Sequence, residues 1–241
     1  MTDKIPSLDK LKIFADGAAL EPMLELHKNP RISGFTTNPT LMRKAGISDY
    51  RAFAKQVLGV IKDKPISFEV FADEWPEMKR QALEIKTWGD NVYVKIPITN
   101  TKGESAAPLI RELASAGVKL NVTAICTLEQ VRETAQALEG GAPSVVSVFA
   151  GRIADTGRDP IPLMREALTI CRAAGSQIEL LWASPRELLN ILQAAEIGCD
   201  IITVTNDVLA KLPTIGKDLK QFSLETVQMF YRDAQAAGFK L

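Results

Sequence analysis

The 241-residue chain sets 29 lysines and arginines against 29 aspartates and glutamates, so no global field draws it to nucleic acid or an anionic membrane surface, and any anion recognition is local. An apolar content of 46% fills a substantial core, one domain over residues 1–241, without help from disulfides or metals. Met1 to Lys12 carries charges throughout and has no apolar h-region, and no later segment approaches the ~18 consecutive apolar residues of a membrane span, which predicts a soluble, cytoplasmic protein.

Short β-branched runs alternate with helix-patterned stretches along the chain. The first strand is expected around Ile13-Phe14-Ala15, with Asp16 at its end. His27, the single histidine, sits in Leu26-His27-Lys28-Asn29-Pro30, the pattern of a frayed helix end at the surface. Gly34-Phe35-Thr36-Thr37 makes a second strand, and Asn38-Pro39 after it reads as an N-cap followed by proline at the first helical position. A helix over Tyr50–Lys62 leads to a strand at Ile66–Val70 that carries Glu69, and a helix over Glu74–Trp88 leads to Val92–Ile96. Ser105–Ala116, Leu120–Thr123, Leu128–Leu138 and Val145–Phe149 continue the alternation, the two strands bearing Asn121, Thr123 and Ser147. Pro162–Ala173 precedes the strand Ile178–Trp182, Pro185–Glu196 precedes Ile201–Val204, and a last helix over Ser223–Gly238 carries Val227, Phe230 and Tyr231 on one side, fit to cover the barrel or a neighbouring subunit.

Eight such units in about 250 residues predict an α/β fold, a (β/α)8 TIM barrel with an additional C-terminal helix; a doubly wound open sheet is the alternative. In a parallel barrel chemistry gathers where strands end, and the polar strand-end residues are Asp16, Asn38, Glu69, Lys95, Asn121, Thr123, Ser147 and Ser184. Ser184-Pro185-Arg186-Glu187 also satisfies a capping box, which by itself explains the serine. Arg186 then falls in a first helical turn, where a cation opposes the helix dipole unless an anion is bound there. Arg152, after Gly151, offers a second guanidinium, or else pairs with Asp155 at the surface. Two arginines at neighbouring strand ends suggest a phosphorylated substrate.

Lys95 stands alone in the apolar run Val92-Tyr93-Val94-Lys95-Ile96-Pro97. Either it snorkels at a strand end, or it is a nucleophilic amine that forms a Schiff base with a carbonyl. The resulting iminium draws electrons from the adjacent carbon and permits C–C bond cleavage or formation without a metal. Asp16 and Glu69 are the carboxylates able to move protons beside it. Cys126, Cys171 and Cys199 are scattered and odd in number, reading as reduced, mostly buried thiols, and neither His-x-x-x-His nor Cys-x-x-Cys occurs, so no metal site is predicted.

Taken in order, Phe14-Ala15-Asp16-Gly17-Ala18, Gly34-Phe35-Thr36-Thr37-Asn38-Pro39-Thr40-Leu41, Val94-Lys95-Ile96-Pro97, Asn121-Val122-Thr123, Ser147-Val148-Phe149-Ala150-Gly151-Arg152-Ile153 and Ala183-Ser184-Pro185-Arg186 resemble the transaldolase family over nearly the whole chain. The resemblance implies a cofactor-independent class I enzyme of carbohydrate metabolism, in the pentose phosphate pathway. It would move a dihydroxyacetone unit from a ketose phosphate, fructose 6-phosphate or sedoheptulose 7-phosphate, to an aldose phosphate such as erythrose 4-phosphate. By the same resemblance Lys95 forms the Schiff base, Asp16 takes the donor hydroxyl proton, and Glu69 with Thr123 moves protons through a water. Asn38, Asn121 and Ser147 would hold the dihydroxyacetone unit beside Phe149, and Arg152, Ser184 and Arg186 the phosphate. Members of the family that act as fructose 6-phosphate aldolases carry glutamine where Glu69 stands and tyrosine where Phe149 stands, so the resemblance favours transfer. The family also implies a homo-oligomer. A fructose 6-phosphate aldolase, a transaldolase for a sulfonated ketose and a non-catalytic sugar-phosphate-binding protein are the alternatives.

Overall fold

The computed structural model describes residues 5–240. Its elements are β1 (Lys12–Asp16), α1 (Leu20–His27), β2 (Ile32–Thr36), α2 (Pro39–Lys44), α3 (Tyr50–Val60), β3 (Ile66–Glu69), α4 (Trp75–Lys86), β4 (Val92–Pro97), α5 (Ala107–Ser115), β5 (Leu120–Ile125), α6 (Leu128–Leu138), β6 (Ser144–Val148), α7 (Ala150–Ala154), α8 (Ile161–Ala174), β7 (Ile178–Trp182), α9 (Leu189–Ile197), β8 (Ile201–Thr205), α10 (Asn206–Leu209) and α11 (Leu219–Ala237). Each strand pairs in parallel with its neighbours in chain order, and β1 pairs β8 from Lys12↔Ile201 to Asp16↔Thr205. The sheet therefore closes into a (β/α)8 barrel, which excludes the open doubly wound alternative.

Alternation along the strands sorts the side chains into two layers of burial. Ile13, Phe35, Phe68, Val94, Val122, Val146, Leu180 and Ile202 join the larger core that the strands share with the helices. Phe14, Val145, Leu181 and Ile201 form a separate cluster with Tyr93 packed on it, and these are the alternate residues of their strands. One step of two further along, the same face carries Asp16, Lys95, Ser147 and Thr203. An apolar floor inside the barrel thus supports a polar layer at the C-terminal strand ends. Gly34 makes room for that floor: a Cβ there would lie 2.6 Å from Phe14 Cζ.

Local sequence sets several boundaries. Asn38 Oδ1 accepts from Leu41 N at 2.9 Å with Pro39 at the first helical position, so the cap read from the sequence starts α2. Thr127 and Gln130 form a capping box at α6. The helix expected from Pro185 begins at Leu189 instead. Asn190 Oδ1 accepts from Arg186 N at 2.7 Å and Glu187 N at 3.2 Å, a turn that keeps those residues outside the helix. Ser184 is therefore not part of a capping box, and Arg186 does not occupy a first turn against a dipole.

His27 ends α1 but is only partly exposed, its Nε2 lying 2.7 Å from Asp63 Oδ1. Cys171 and Cys199 are buried as expected, whereas Cys126 is exposed. No helix among the described residues is long and apolar enough to cross a membrane. α11 starts on an Asp218 cap and buries none of its side chains among the described residues, so it does not cover the barrel. Val227, Phe230 and Tyr231 remain 60%, 62% and 66% exposed.

Candidate active site

Lys95 is 7% exposed, and its ammonium donates to Thr37 O at 3.0 Å and lies 3.2 Å from Glu69 Oε2. Removing such an ion from water costs several kcal/mol, which the carboxylate and carbonyl offset here. β3 and β4 bring the pair together because Glu69 stands opposite Lys95 in register.

Asp16 faces the same space from β1. Thr36 Oγ1 donates to Asp16 Oδ1 at 2.8 Å and is also hydrogen-bonded to Thr203 Oγ1. Burial holds the Asp16 carboxyl above its usual range, against the opposing pull of the Lys95 charge and of hydrogen bonds from Thr36 and Asn38.

On the other flank Asn121 Nδ2 donates to Ser67 Oγ at 2.9 Å, while Asn121 Oδ1 accepts from Ser147 Oγ at 2.6 Å. That chain across three strands fixes the amide. Thr123 Oγ1 is buried without a hydrogen-bond partner among the described residues, an acceptor and donor in reserve in the cavity that Lys95 also lines. The strand that carries it is irregular: Ala124 adopts φ 64° where the β5–β6 register shifts.

At the outer end, Arg186 donates through Nε to Asp155 Oδ1 at 2.9 Å and through Nη2 to Oδ2. Asp155 is thus taken by Arg186 and not by Arg152, which forms no ion pair among the described residues. The Arg186 hydrogen bonds first, then both guanidinium charges, hold the Asp155 carboxyl below its usual range. Ser184, beside Arg186, adopts φ 60°, a left-handed conformation rare for serine. Gly151 permits that turn, because a Cβ on it would overlap the Ser184 carbonyl oxygen. Strained backbone at Ala124 and Ser184 gathers around one cavity.

That cavity encloses about 450 Å³, and Asp16, Asn38, Glu69, Lys95, Asn121 and Thr123 line it together with Ser147, Phe149, Arg152, Ser184 and Arg186. The structure brings every sequence-predicted site residue together. Thr36 and Thr203, not singled out from the sequence, line it as well. Cross-strand pairing places them there, Thr36 against Asp16 and Thr203 against Phe14, a register that the local sequence does not show. A larger cleft of about 610 Å³ lies outside the barrel against α3 and α4, walled by Tyr50, Phe71 and Trp88. It holds none of the strand-end groups, so volume alone does not locate the chemistry. Among the described residues no group of three or more His, Cys, Asp or Glu is placed to hold a metal ion.

The sequence model of the family described as Transaldolase/Fructose-6-phosphate aldolase matches residues 13–241. The chain belongs to that family. A "Probable transaldolase" of Dehalococcoides mccartyi is 36% identical over 202 residues, spanning 84% of this chain and 90% of the relative. One from Exiguobacterium sp. is 32% identical over 215 residues, spanning 88% of this chain and 95% of its own length. The chain is accordingly an enzyme of the transaldolase family. Solved structures share the barrel at low identity. A 3-hexulose-6-phosphate synthase from Salmonella typhimurium superposes with a TM-score of 0.55 at 17% identity, covering 83% of this chain and 90% of that one. A dihydrodipicolinate synthase from Rhodopseudomonas palustris gives 0.54 at 15% identity, covering 80% and 69%.

Proposed function

We propose that this transaldolase-family enzyme transfers a dihydroxyacetone unit from a ketose phosphate to an aldose phosphate through a Schiff base on Lys95. The observation that carries the reading is the buried Lys95 ammonium, 3.2 Å from Glu69 Oε2 inside a cavity with a carboxyl, an amide and two arginines around it. The amine adds to the ketose carbonyl to give a carbinolamine, and loss of water leaves the iminium. Glu69, with the Thr123 hydroxyl, passes the protons of that dehydration through a water. Asp16 takes the proton from the hydroxyl on the far side of the scissile bond; the C–C bond breaks, and its electron pair moves to the iminium as an enamine. The first aldehyde leaves, an acceptor aldehyde enters, and the steps reverse.

Asn38, Asn121 and Ser147 hold the hydroxyls of the retained unit, and the Ser67–Asn121–Ser147 chain supports the orientation of that amide. Arg152, Ser184 and Arg186 bind the anionic end. Phe149 offers no hydroxyl to protonate the enamine, which favours transfer over release. Mixing fructose 6-phosphate with and without erythrose 4-phosphate tests the reading: ketose consumption that depends on the acceptor supports it. Free dihydroxyacetone without acceptor would assign the aldolase reaction, and binding of both sugars without turnover would assign a non-catalytic sugar-phosphate-binding protein.

A second reading concerns the end group. Asp155 neutralises one of the two guanidinium charges, leaving a net single positive charge that suits a monoanion such as a sulfonated ketose. Comparing kcat/KM for the phosphorylated and sulfonated donors separates the two.

The same family reading includes a cytoplasmic homo-oligomer acting in the pentose phosphate pathway and one domain over the full chain. The unburied face of α11, with Val227, Phe230 and Tyr231, supports association with a second copy.

A further inference from the structure

β3 runs on to Glu69, but β2 stops at Thr36. The ladder between them reaches Phe35 N to Pro65 O at 2.9 Å and Thr37 N to Ser67 O at 3.2 Å. In a parallel ladder the next bond is from Glu69 N–H to Thr37 C=O. That bond is not made. Thr37 O accepts instead from Lys95 Nζ at 3.0 Å, and Glu69 N–H donates to Tyr50 Oη at 2.7 Å. The phenol in turn donates to Glu69 O at 3.1 Å, so one side chain from α3 satisfies both main-chain groups of Glu69.

The ring that carries this hydroxyl is tightly held. Its centroid lies 5.9 Å from that of Phe68, 4.5 Å from Phe71 and 5.4 Å from Trp88. Burial pushes the phenol well above its usual range, which keeps it a neutral donor and acceptor. A fully apolar phenylalanine would fill the same aromatic cluster. The hydroxyl is what the packing does not explain.

We propose that Tyr50 is a positioning residue for the Lys95–Glu69 pair: by standing in for the missing strand at Glu69 it frees the Thr37 carbonyl for the Lys95 ammonium and fixes the Glu69 carboxylate beside it. The proposal rests on the proton-shuttling role of Glu69 given above. Without the hydroxyl, Glu69 N–H and C=O both lose their partner, so the strand end that aims the carboxylate at Lys95 loosens and its N–H is left to contest the Thr37 carbonyl with the ammonium.

Tyr50→Phe keeps the ring and removes only the oxygen. Its kcat for transfer falls about tenfold, the scale of one lost buried hydrogen bond, while KM for the ketose phosphate stays within about twofold. In a double-mutant cycle Tyr50→Phe causes a smaller loss in the Glu69→Gln background than in the parent, because the part that acts through the carboxylate is already gone while the main-chain part persists. Hydrogen exchange localises the change: the Glu69 amide loses protection, while the Val70 amide, bonded to Lys95 O at 3.1 Å, keeps it. Unchanged kcat in Tyr50→Phe, independent losses in the double variant, or equal deprotection of Glu69 and Val70 would overturn the proposal while the role of Glu69 stands. Full turnover in Glu69→Gln would overturn that role first, and the proposal with it.

Discussion

Lys95 Nζ lies 3.2 Å from Glu69 Oε2, on adjacent strands and opposite one another in register. The side chains are 9% and 16% exposed, so removing either leaves the other charge with little water to replace it. Glu69→Leu is accordingly expected to destabilise the fold by about 3 kcal/mol, the lower end for breaking a buried pair. Lys95→Met combined with Glu69→Leu recovers most of that loss, since the pair is replaced by apolar groups of similar size. Urea unfolding of the single and double variants checks both. Equal destabilisation in the double variant would mean that the loss does not come from an uncompensated Lys95 charge.

Asp16 gives the opposite sign. Its folded-state carboxyl lies above the ordinary 3.8 because burial dominates, so the folded state favours the protonated form. That contribution is full below the unfolded value and is lost as pH rises through the raised one. At neutral pH the ionised group is therefore a cost, and Asp16→Asn melts a few degrees higher than the parent. The difference closes on acidification through the carboxylate range. Transfer activity of the variant falls at least about a hundredfold, as for loss of a general base. Thermal melts across pH and steady-state rates measure the two halves independently.

Gly151 holds the anion end in shape through what it lacks. Gly151→Ala forces apart α7 and the Ser184 turn, because the added methyl meets backbone and not a movable side chain. The expected cost is about 1–3 kcal/mol of stability, the range for overpacking. KM for phosphorylated donors rises more than kcat falls, since Arg152 and Ser184 separate while Lys95 and Glu69 do not move.

Phe230 tests the reading of α11. Phe230→Asp places a charge on a face whose Val227, Phe230 and Tyr231 have no partner among the described residues. If that face joins copies of the chain, light scattering shows a smaller particle for the variant than for the parent, with the monomer's melting behaviour otherwise retained. An unchanged mass would remove α11 from the interface.

The strands were legible because their β-branched runs are buried on both faces, and the expected positions agree with the observed strands to within a residue or two. Closure was legible from the count of alternating units. Short helices were less so: α7 and α10 carry too few turns for an apolar period to stand out, whereas α1 showed only at its His27 end and α2 could be placed from Asn38-Pro39. The start of α9 was misread because Ser-Pro-Arg-Glu satisfies the capping pattern, while the side chain of Asn190 imposes a competing turn. Candidate site residues were visible as polar groups ending apolar strands. Tyr50 and Thr203 were not. Tyr50 reaches the site through a main-chain bond from a helix, and Thr203 meets Thr36 across the barrel closure, relationships that local sequence does not encode.

Lys95 as nucleophile is the step on which every other role in the cavity depends. Incubation with fructose 6-phosphate followed by borohydride reduction, with peptide mass mapping, measures it directly. The prediction is one reduced adduct, on Lys95, that forms only when the ketose is present. Under conditions that give turnover, an unmodified Lys95, or an adduct on another lysine, would contradict it.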